Sequence, residues 1–374
     1  MSEGMTRMPP KPELGPGAGS KEAARALAVL RAVIDGMAEG VWVTDEFGTV
    51  LEHNNALKEL LFSGTAIVGH RVSEIVPSGE LQQAVEKACR ENSSSRLELQ
   101  LEGVRPRVVS VHVSPLGHDL SGSSAVFFDV TELRRLEKVR KDFVANVSHE
   151  LRTPVTAIRG YAETLLSGAL ADPVAAPKMV DIIHRQSERL SELVEDLLEL
   201  SRLESKDLQL AEKPINLANA AQRASEAVRP KARARNTTIE LQVSPDLFVL
   251  ADPRGVEQVI LNLLDNAVKY TPPNGHVWLA ARHSGDEIVL TVRDDGPGIE
   301  ARHLPRIFER FYRVDKGRSR DMGGTGLGLS IVKHLATAMK GDVRVESAPG
   351  QGSTFFVTLP VSAPESAGNP ATSG

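Results

Sequence analysis

The chain has 374 residues, 41% of them apolar and 4% aromatic, with a formal net charge of −5. That length allows roughly two or three packed domains, and the mildly acidic balance excludes nucleic acid as the expected partner. Cys89 is the only cysteine, which excludes a disulfide framework and a cysteine-rich metal site; a small core residue on a helix is expected instead. Residues 1–20 carry Pro9, Pro10, Pro12 and Pro16 among small polar residues, and are expected to be disordered. They contain no apolar stretch of signal-peptide type. The most apolar segment, Ala23 to Val43, holds Arg25, Arg31, Asp35 and Glu39, so no transmembrane span is expected and the chain reads as cytoplasmic.

Residues 21–130 show a mixed α+β pattern. A helix over Glu22 to Met37 precedes a strand at Gly40 to Thr44, a turn at Asp45 to Gly48 and a second strand at Thr49 to Glu52. Short helices are expected from His53 to Phe62. Arg96 to Leu101, Val108 to Val113 and Ser124 to Phe128 read as strands. This order, with the GVWVTDEFGTVLEHNNA segment and the closing Asp129-Val-Thr131, resembles a PAS sensor domain. A small-molecule ligand of unknown identity and pure structural coupling are both open for such a domain. His53 and His70 as haem ligands are the less favoured alternative to ordinary satisfied histidines.

Thr131 is read as the N-cap of a long helix, with Glu132 and Glu137 near its positive end. Leu133, Leu136, Val139 and Phe143 carry an apolar stripe into Val144, Val147, Leu151 and Ile158. His149 lies off that stripe, with Glu150 next to it and Pro154 just beyond, where a bend is expected. An exposed imidazole beside a carboxylate can serve as an oriented nucleophile, although a lone His-Glu pair is far more often an ordinary surface pair. The helix is expected to end near Gly168, and a second to run from Val174 to Glu204. Met179, Ile183, Gln186, Leu190, Leu193, Leu197 and Leu200 alternate by four and three along it, a coiled-coil seam with one polar member. One hairpin cannot bury that stripe by itself, so two are expected to pair as a four-helix bundle in a homodimer. Ser-His149-Glu150-Leu-Arg-Thr153-Pro resembles the phosphoacceptor box of two-component sensor histidine kinases. The resemblance implies that His149 is phosphorylated, that Glu150 is its base or orienter, and that Thr153 positions water for dephosphorylation of a partner.

Residues 206–213 read as a hinge and 214–360 as a third unit, with a disordered tail over 361–374. Asn216 caps a helix to about Ala234, strands follow at Thr238 to Val243 and Leu247 to Leu250, and Asp252-Pro253 starts another helix. On that helix Asn262, Asn266 and Lys269 share one face, while Val259, Ile260, Leu263, Leu264 and Ala267 line the other. Amide oxygens are hard Mg²⁺ donors and lysine suits phosphate, although a polar stripe can also be a solvated face. A strand from Glu287 to Val292 ends in Asp294-Asp-Gly296-Pro-Gly298, where a carboxylate can accept an exocyclic amine. Phe308 to Arg313 offers aromatic rings and cations for a lid. Gly323 to Gly328 opens a helix from Ile331 to Met339, an anion-binding arrangement.

These four stretches, in this order, resemble the N box, the two glycine boxes and the F box of the Bergerat-fold kinase and ATPase superfamily. With the His149 box upstream, the chain resembles a histidine kinase of the phosphate-regulon sensor type. The fold class implied is α+β multidomain: a PAS-like sensor, a dimeric helical hairpin and a Bergerat α/β sandwich. The resemblance implies that ATP and Mg²⁺ are the cofactors, with Asn266 on the metal and Asn262 nearby. It implies that Lys269 and Arg313 contact phosphates, Tyr270 packs by the nucleotide and Asp294 reads adenine. Gly296, Gly298, Gly324, Thr325, Gly326, Leu327 and Gly328 shape the pocket and lid. The implied reaction is autophosphorylation of His149 and relay to an aspartate of a separate response regulator, with regulator phosphatase activity expected as well. An ATPase of the gyrase class, a phosphatase-biased sensor and a non-enzymatic PAS scaffold are the alternatives.

Overall fold

The computed structural model describes residues 18–61, 66–102, 106–117, 120–205, 210–314 and 324–363. Most of the two ends expected to be disordered, half of the proposed hinge (206–209), Phe62 and Gly323 lie outside these residues. The chain divides into two compact units after Asp142.

The first unit begins with α1 (Ala18–Asp35) and builds a five-stranded antiparallel sheet. Its strands are β1 (Gly40–Thr44), β2 (Val50–His53), β3 (Ser95–Leu101), β4 (Arg107–Pro115) and β5 (Ser123–Asp129), in the order β2-β1-β5-β4-β3. Three helices interrupt the strands: α2 (Asn55–Leu61), α3 (Val72–Ile75) and α4 (Gly79–Glu91). Val109, Val111 and Val113 of β4 alternate into the core, as a half-buried strand requires, and α4 lies across them with Leu81, Val85 and Ala88. Trp42 and Phe127 meet there edge to face at 4.7 Å. The helices α3 and α4 were not legible as such in the sequence, but Cys89 sits on α4 and packs against this core as expected. His53 Nδ1 is bonded to the Asn54 carbonyl at 2.9 Å and His70 to Glu74 at 3.1 Å, so both have ordinary partners. Among the described residues there is no cluster of metal-type side chains.

The helix α5 (Thr131–Leu166) begins in the first unit and runs through Pro154 without a break. Thr131 does not act as its N-cap. The hydroxyl accepts from the Val108 N–H at 2.9 Å, and the helix starts one residue earlier, with Arg134 N–H donating to the Val130 carbonyl at 2.8 Å. The Thr131 side chain therefore ties the helix start to β4 instead of satisfying the helix's own amides. No helix among the described residues is long and apolar enough to cross a membrane.

In the second unit, α5 is joined by a turn to α6 (Ala175–Leu203). All seven seam residues of α6 are half-buried or buried, so the coiled-coil face read from the sequence is the face that packs. Next come β6 (Lys213–Asn216), α7 (Leu217–Ala234), β7 (Thr238–Gln242), β8 (Phe248–Ala251), α8 (Pro253–Tyr270), β9 (His276–Ser284) and β10 (Glu287–Asp294). The unit closes with α9 (Gly328–Ala338), β11 (Asp342–Ser347) and β12 (Ser353–Pro360). A five-stranded sheet in the order β11-β12-β10-β9-β7 is antiparallel except for the β7–β9 pair, and β6 pairs with β8 in a separate ribbon. The helices α7, α8 and α9 form one layer against the larger sheet. β6, β9, β11 and β12 were not resolved from sequence.

The start of α8 sets the position of its polar face. Asp252 Oδ1 accepts from Gly255 N–H at 2.8 Å, Pro253 supplies the first helical turn, and Asp252 Oδ2 accepts from Ala211 N–H at 3.1 Å. Asp252→Ala is expected to cost about 1 kcal/mol, the usual loss for an N-cap. Urea denaturation should show a lower midpoint with an unchanged slope.

Candidate functional site

The second unit encloses a cavity of about 480 Å³ between α8, the end of β10, the start of α9 and one side of α6. From α8 come Asn262, Asn266, Lys269 and Tyr270. Their apolar counterparts Val259, Ile260, Leu263, Leu264 and Ala267 are buried on the opposite face, so the helix is held by one face and works with the other. Asn262 accepts from Gln258 Nε2 at 3.3 Å and donates to the Gly328 carbonyl at 3.4 Å, which fixes its amide against the start of α9. Among the described residues the Asn266 amide makes no hydrogen bond, and it stands beside Gly328, where a Cβ would come 3.8 Å from its Nδ2.

Lys269 lies over the Tyr270 ring at 5.2 Å, and its Nζ fills the space a Cβ on Gly324 would take. Gly324 adopts φ 131°, so both backbone and room call for glycine there. Burial pushes the Lys269 amine down to about 8, with the Arg313 charge adding to the effect and Asp265 and Glu192 opposing it. At the end of β10, Asp294 is buried and accepts from Gly296 N–H at 2.9 Å and Ser353 N–H at 3.2 Å. Burial raises its pKa despite those two bonds. A buried carboxylate with oxygen lone pairs to spare, on the wall of a cavity, can accept an exocyclic amine. Gly298 has φ 70° and its missing Cβ would collide with the Ala348 carbonyl, so the loop after Asp294 lies flat against the sheet edge.

Gly298, Arg313, Gly324, Thr325, Gly326 and Gly328 also line the cavity. Gly296 and Leu327 do not. Gly296 stands behind Asp294 as its donor, and Leu327 is fully buried in the core. Tyr312 joins the wall, its hydroxyl bonded to His303 Nδ1 at 2.7 Å and its ring covered by Arg306 at 4.4 Å.

The α6 contribution was not legible in the sequence. Glu192, Glu195 and Asp196 line the cavity, and Asp196 hydrogen-bonds the Thr325 hydroxyl. Burial raises the Asp196 carboxyl above its ordinary range. Further along, Glu204 pairs with Arg310, and Arg310 lies over the Phe143 ring at 5.4 Å while Phe143 meets Phe311 at 5.9 Å. The ATP-type half of the unit is thus docked on its own hairpin. Lys231 and Asp265, bonded to each other at 2.6 Å, also reach the cavity.

His149, Glu150 and Thr153 are on α5 and are not part of the cavity wall. His149 is exposed, as its place off the apolar stripe implied. Thr153 donates to the His149 carbonyl at 3.1 Å. The Glu150 carboxylate accepts from Arg189 of α6 at 2.8 Å and is not bonded to the neighbouring imidazole.

Three segments match known families. Residues 34–135 match the PAS fold, 139–206 the His Kinase A (phospho-acceptor) domain, and 251–363 the histidine kinase-, DNA gyrase B- and HSP90-like ATPase. The sensor protein kinase WalK of Staphylococcus aureus is 35% identical over 337 residues, covering 88% of this chain and 80% of that protein. The chain belongs to the sensor histidine kinase family. The sensor histidine kinase WalK of Bacillus subtilis is 34% identical over 337 residues; the chain spans only about half the length of that relative, 55%. The solved complex of histidine kinase ThkA with response regulator protein TrrA has a TM-score of 0.50 and 23% identity, covering 88% of this chain and 98% of that one, a likeness of fold. The match to the ATPase family implies that this segment binds ATP, and residues 261–355 of the cavity wall lie within it.

With a phosphate beside Lys269, nucleotide binding is expected to depend on pH. The ammonium form attracts phosphate, and it is the main form of the free protein below pH 8. As pH rises through about 8 that charge is lost, and binding must take up a proton. ATP affinity is therefore expected to be flat near pH 7 and to fall by up to about tenfold per pH unit above 8. A fluorescent-nucleotide titration over pH 6.5 to 9 checks this; Lys269→Met should bind more weakly and lose the slope.

Proposed function

We propose that the protein is an ATP-dependent histidine kinase that phosphorylates its own His149 and relays the phosphoryl group to an aspartate of a separate response regulator. The observation that carries the reading is the pairing, in one compact unit, of an exposed His149 in a phosphoacceptor box with a cavity assembled from all four nucleotide boxes. In the reaction, a lone pair of a His149 ring nitrogen, Nε2 in the family, forms a bond to the γ-phosphorus of ATP. The bond from phosphorus to the β–γ bridging oxygen breaks, and its electron pair leaves with ADP. The Nδ1 proton passes to Glu150 or to water. Positioning and charge neutralisation supply most of the catalysis, as in phosphoryl transfers generally.

Asp294 is assigned to the adenine amine, Lys269 and Arg313 to phosphate oxygens, and Tyr270 to packing beside the nucleotide. Asn266, with Asn262 one turn before it, is assigned to Mg²⁺; an amide oxygen on the cavity wall suits a hard cation. Bound Mg²⁺ would neutralise phosphate charge. Thr153 is assigned to water in dephosphorylation of the regulator. The plan is that of the phosphate-regulon sensors: 21–130 as sensor, 131–205 as signalling helix and hairpin, 206–213 as hinge and 214–360 as ATP domain. Two copies pair through the hairpin, since Leu133, Leu136, Val139 and Val155 stay exposed on a single chain. The docked ATP domain must leave α6 for its nucleotide to meet His149.

Incubation with γ-labelled ATP and Mg²⁺ is expected to give acid-labile, base-stable label on the wild type and none on His149→Gln. Equal ATP hydrolysis by both with no label would instead favour an ATPase. Thr153→Ala is expected to keep labelling and to slow loss of label from the phosphorylated regulator.

A further inference from the structure

We propose that Arg189 is a positioning residue for phosphoryl transfer, the cation that links the nucleotide cavity to the His149 box. The proposal rests on the kinase reading above.

Arg189, Glu192 and Asp196 are spaced by three and four, so they share one stripe of α6. The latter two line the cavity. Arg189 extends that stripe by one turn and bonds the carboxylate of Glu150 at 2.8 Å, the residue directly after His149. Its side chain is only 11% exposed and that of Glu150 only 26%, unlike the Arg159–Glu163, His184–Glu188 and Arg185–Asp181 pairs of the same hairpin, which are more than 60% exposed. A guanidinium is buried to that degree only with a countercharge or a task that needs it. Glu150 supplies the countercharge. Among the described residues this is the one hydrogen bond the guanidinium makes, although it carries five N–H donors.

The other end of the link is Lys269. Arg189 is close enough to it to add, behind burial and Arg313, to the lowering of the Lys269 amine. One guanidinium thus hydrogen-bonds the carboxylate beside the acceptor and stands on the helical stripe whose next members line the cavity. A transferring phosphoryl group spreads its charge over three equatorial oxygens, and the planar fork of arginine matches two of them at once. Arg189 forms no covalent bond and gives up no proton. It holds Glu150 in the resting state, and its remaining N–H groups bond the γ-phosphoryl oxygens once the nucleotide faces His149.

The rival is a purely structural pin between α5 and α6. Labelling kinetics on the full chain separate the two. Arg189→Ala and Arg189→Met, the latter keeping most of the stem, are expected to slow His149 labelling by about 10²–10³-fold, the usual loss for one charge-stabilising donor. Affinity for a fluorescent ATP analogue should not move, and the thermal midpoint should drop through loss of the Glu150 pair without tracking the rate. Low millimolar guanidinium should restore part of the rate to Arg189→Ala and none to His149→Gln. Wild-type labelling rates in both Arg189 variants would overturn the proposal. So would a loss that follows the thermal midpoint or ATP affinity and does not respond to guanidinium. Absence of label on the wild type would instead sink the kinase reading itself.

Discussion

The catalytic half of this protein depends on α8 having two incompatible faces. One carries Val259, Ile260, Leu263 and Leu264 and is fully buried; the other carries Asn262, Asn266 and Lys269 and borders the cavity. Burying four large aliphatic side chains is worth several kcal/mol, at roughly 1.5–3 kcal/mol each. That energy fixes the rotation of the helix about its axis. With the rotation fixed, the polar residues can only face the cavity. Lys269 is thereby held in a half-buried position where its amine is pushed down to about 8, a state unfavourable without an anionic ligand and favourable with one. Glycine at 324 makes room for the ammonium, so two distant boxes in the sequence meet at one nitrogen.

The hairpin helix α6 also serves two purposes. Its seam, from Met179 to Leu200, packs as a coiled-coil face, while Arg189, Glu192, Glu195 and Asp196 occupy the side toward the cavity. Three carboxylates on the wall of the cavity would repel a triphosphate placed there, as the proposed function requires. Asp196 is engaged by Thr325 of the second glycine box, and Phe143 with Arg310 secures the docked position nearby. Phe311 holds φ 60° there, an unusual conformation for a bulky residue, at the point where the lid meets α5. Such strain is typical of elements that change state. Under the proposed function, nucleotide binding and docking on α6 are expected to oppose each other, as a travelling ATP domain requires.

Much of this was legible in the sequence because it is local. The amides and lysine on α8 follow from helical spacing, its start from Asp252-Pro253, and the α6 seam from a simple alternation. The strands β9, β11 and β12 were missed. In β11 only Val343 and Val345 alternate with charged neighbours, too few to stand out from a loop. Thr131 looked like a cap because its sequence neighbourhood fits one; its hydroxyl is spent on Val108, a residue that only the folded sheet brings near. Nothing in the sequence marks Arg189 or Asp196, since nothing within one turn of them differs from the solvent face of an amphipathic helix. Their roles come from tertiary placement alone. Glu150 illustrates the same limit. Adjacency in sequence suggested a partner for His149, and the structure gives its carboxylate to Arg189.

The central claim is that the polar face of α8 delivers the γ-phosphoryl group of ATP to His149. Phosphorus NMR of the protein after incubation with Mg-ATP, recorded in alkaline denaturant, tests it most directly. The wild type should show an N-phosphohistidine resonance, and Asn266→Ala should show none while keeping its fold. An equal resonance in Asn266→Ala, or only ADP and inorganic phosphate from the wild type, would contradict the account.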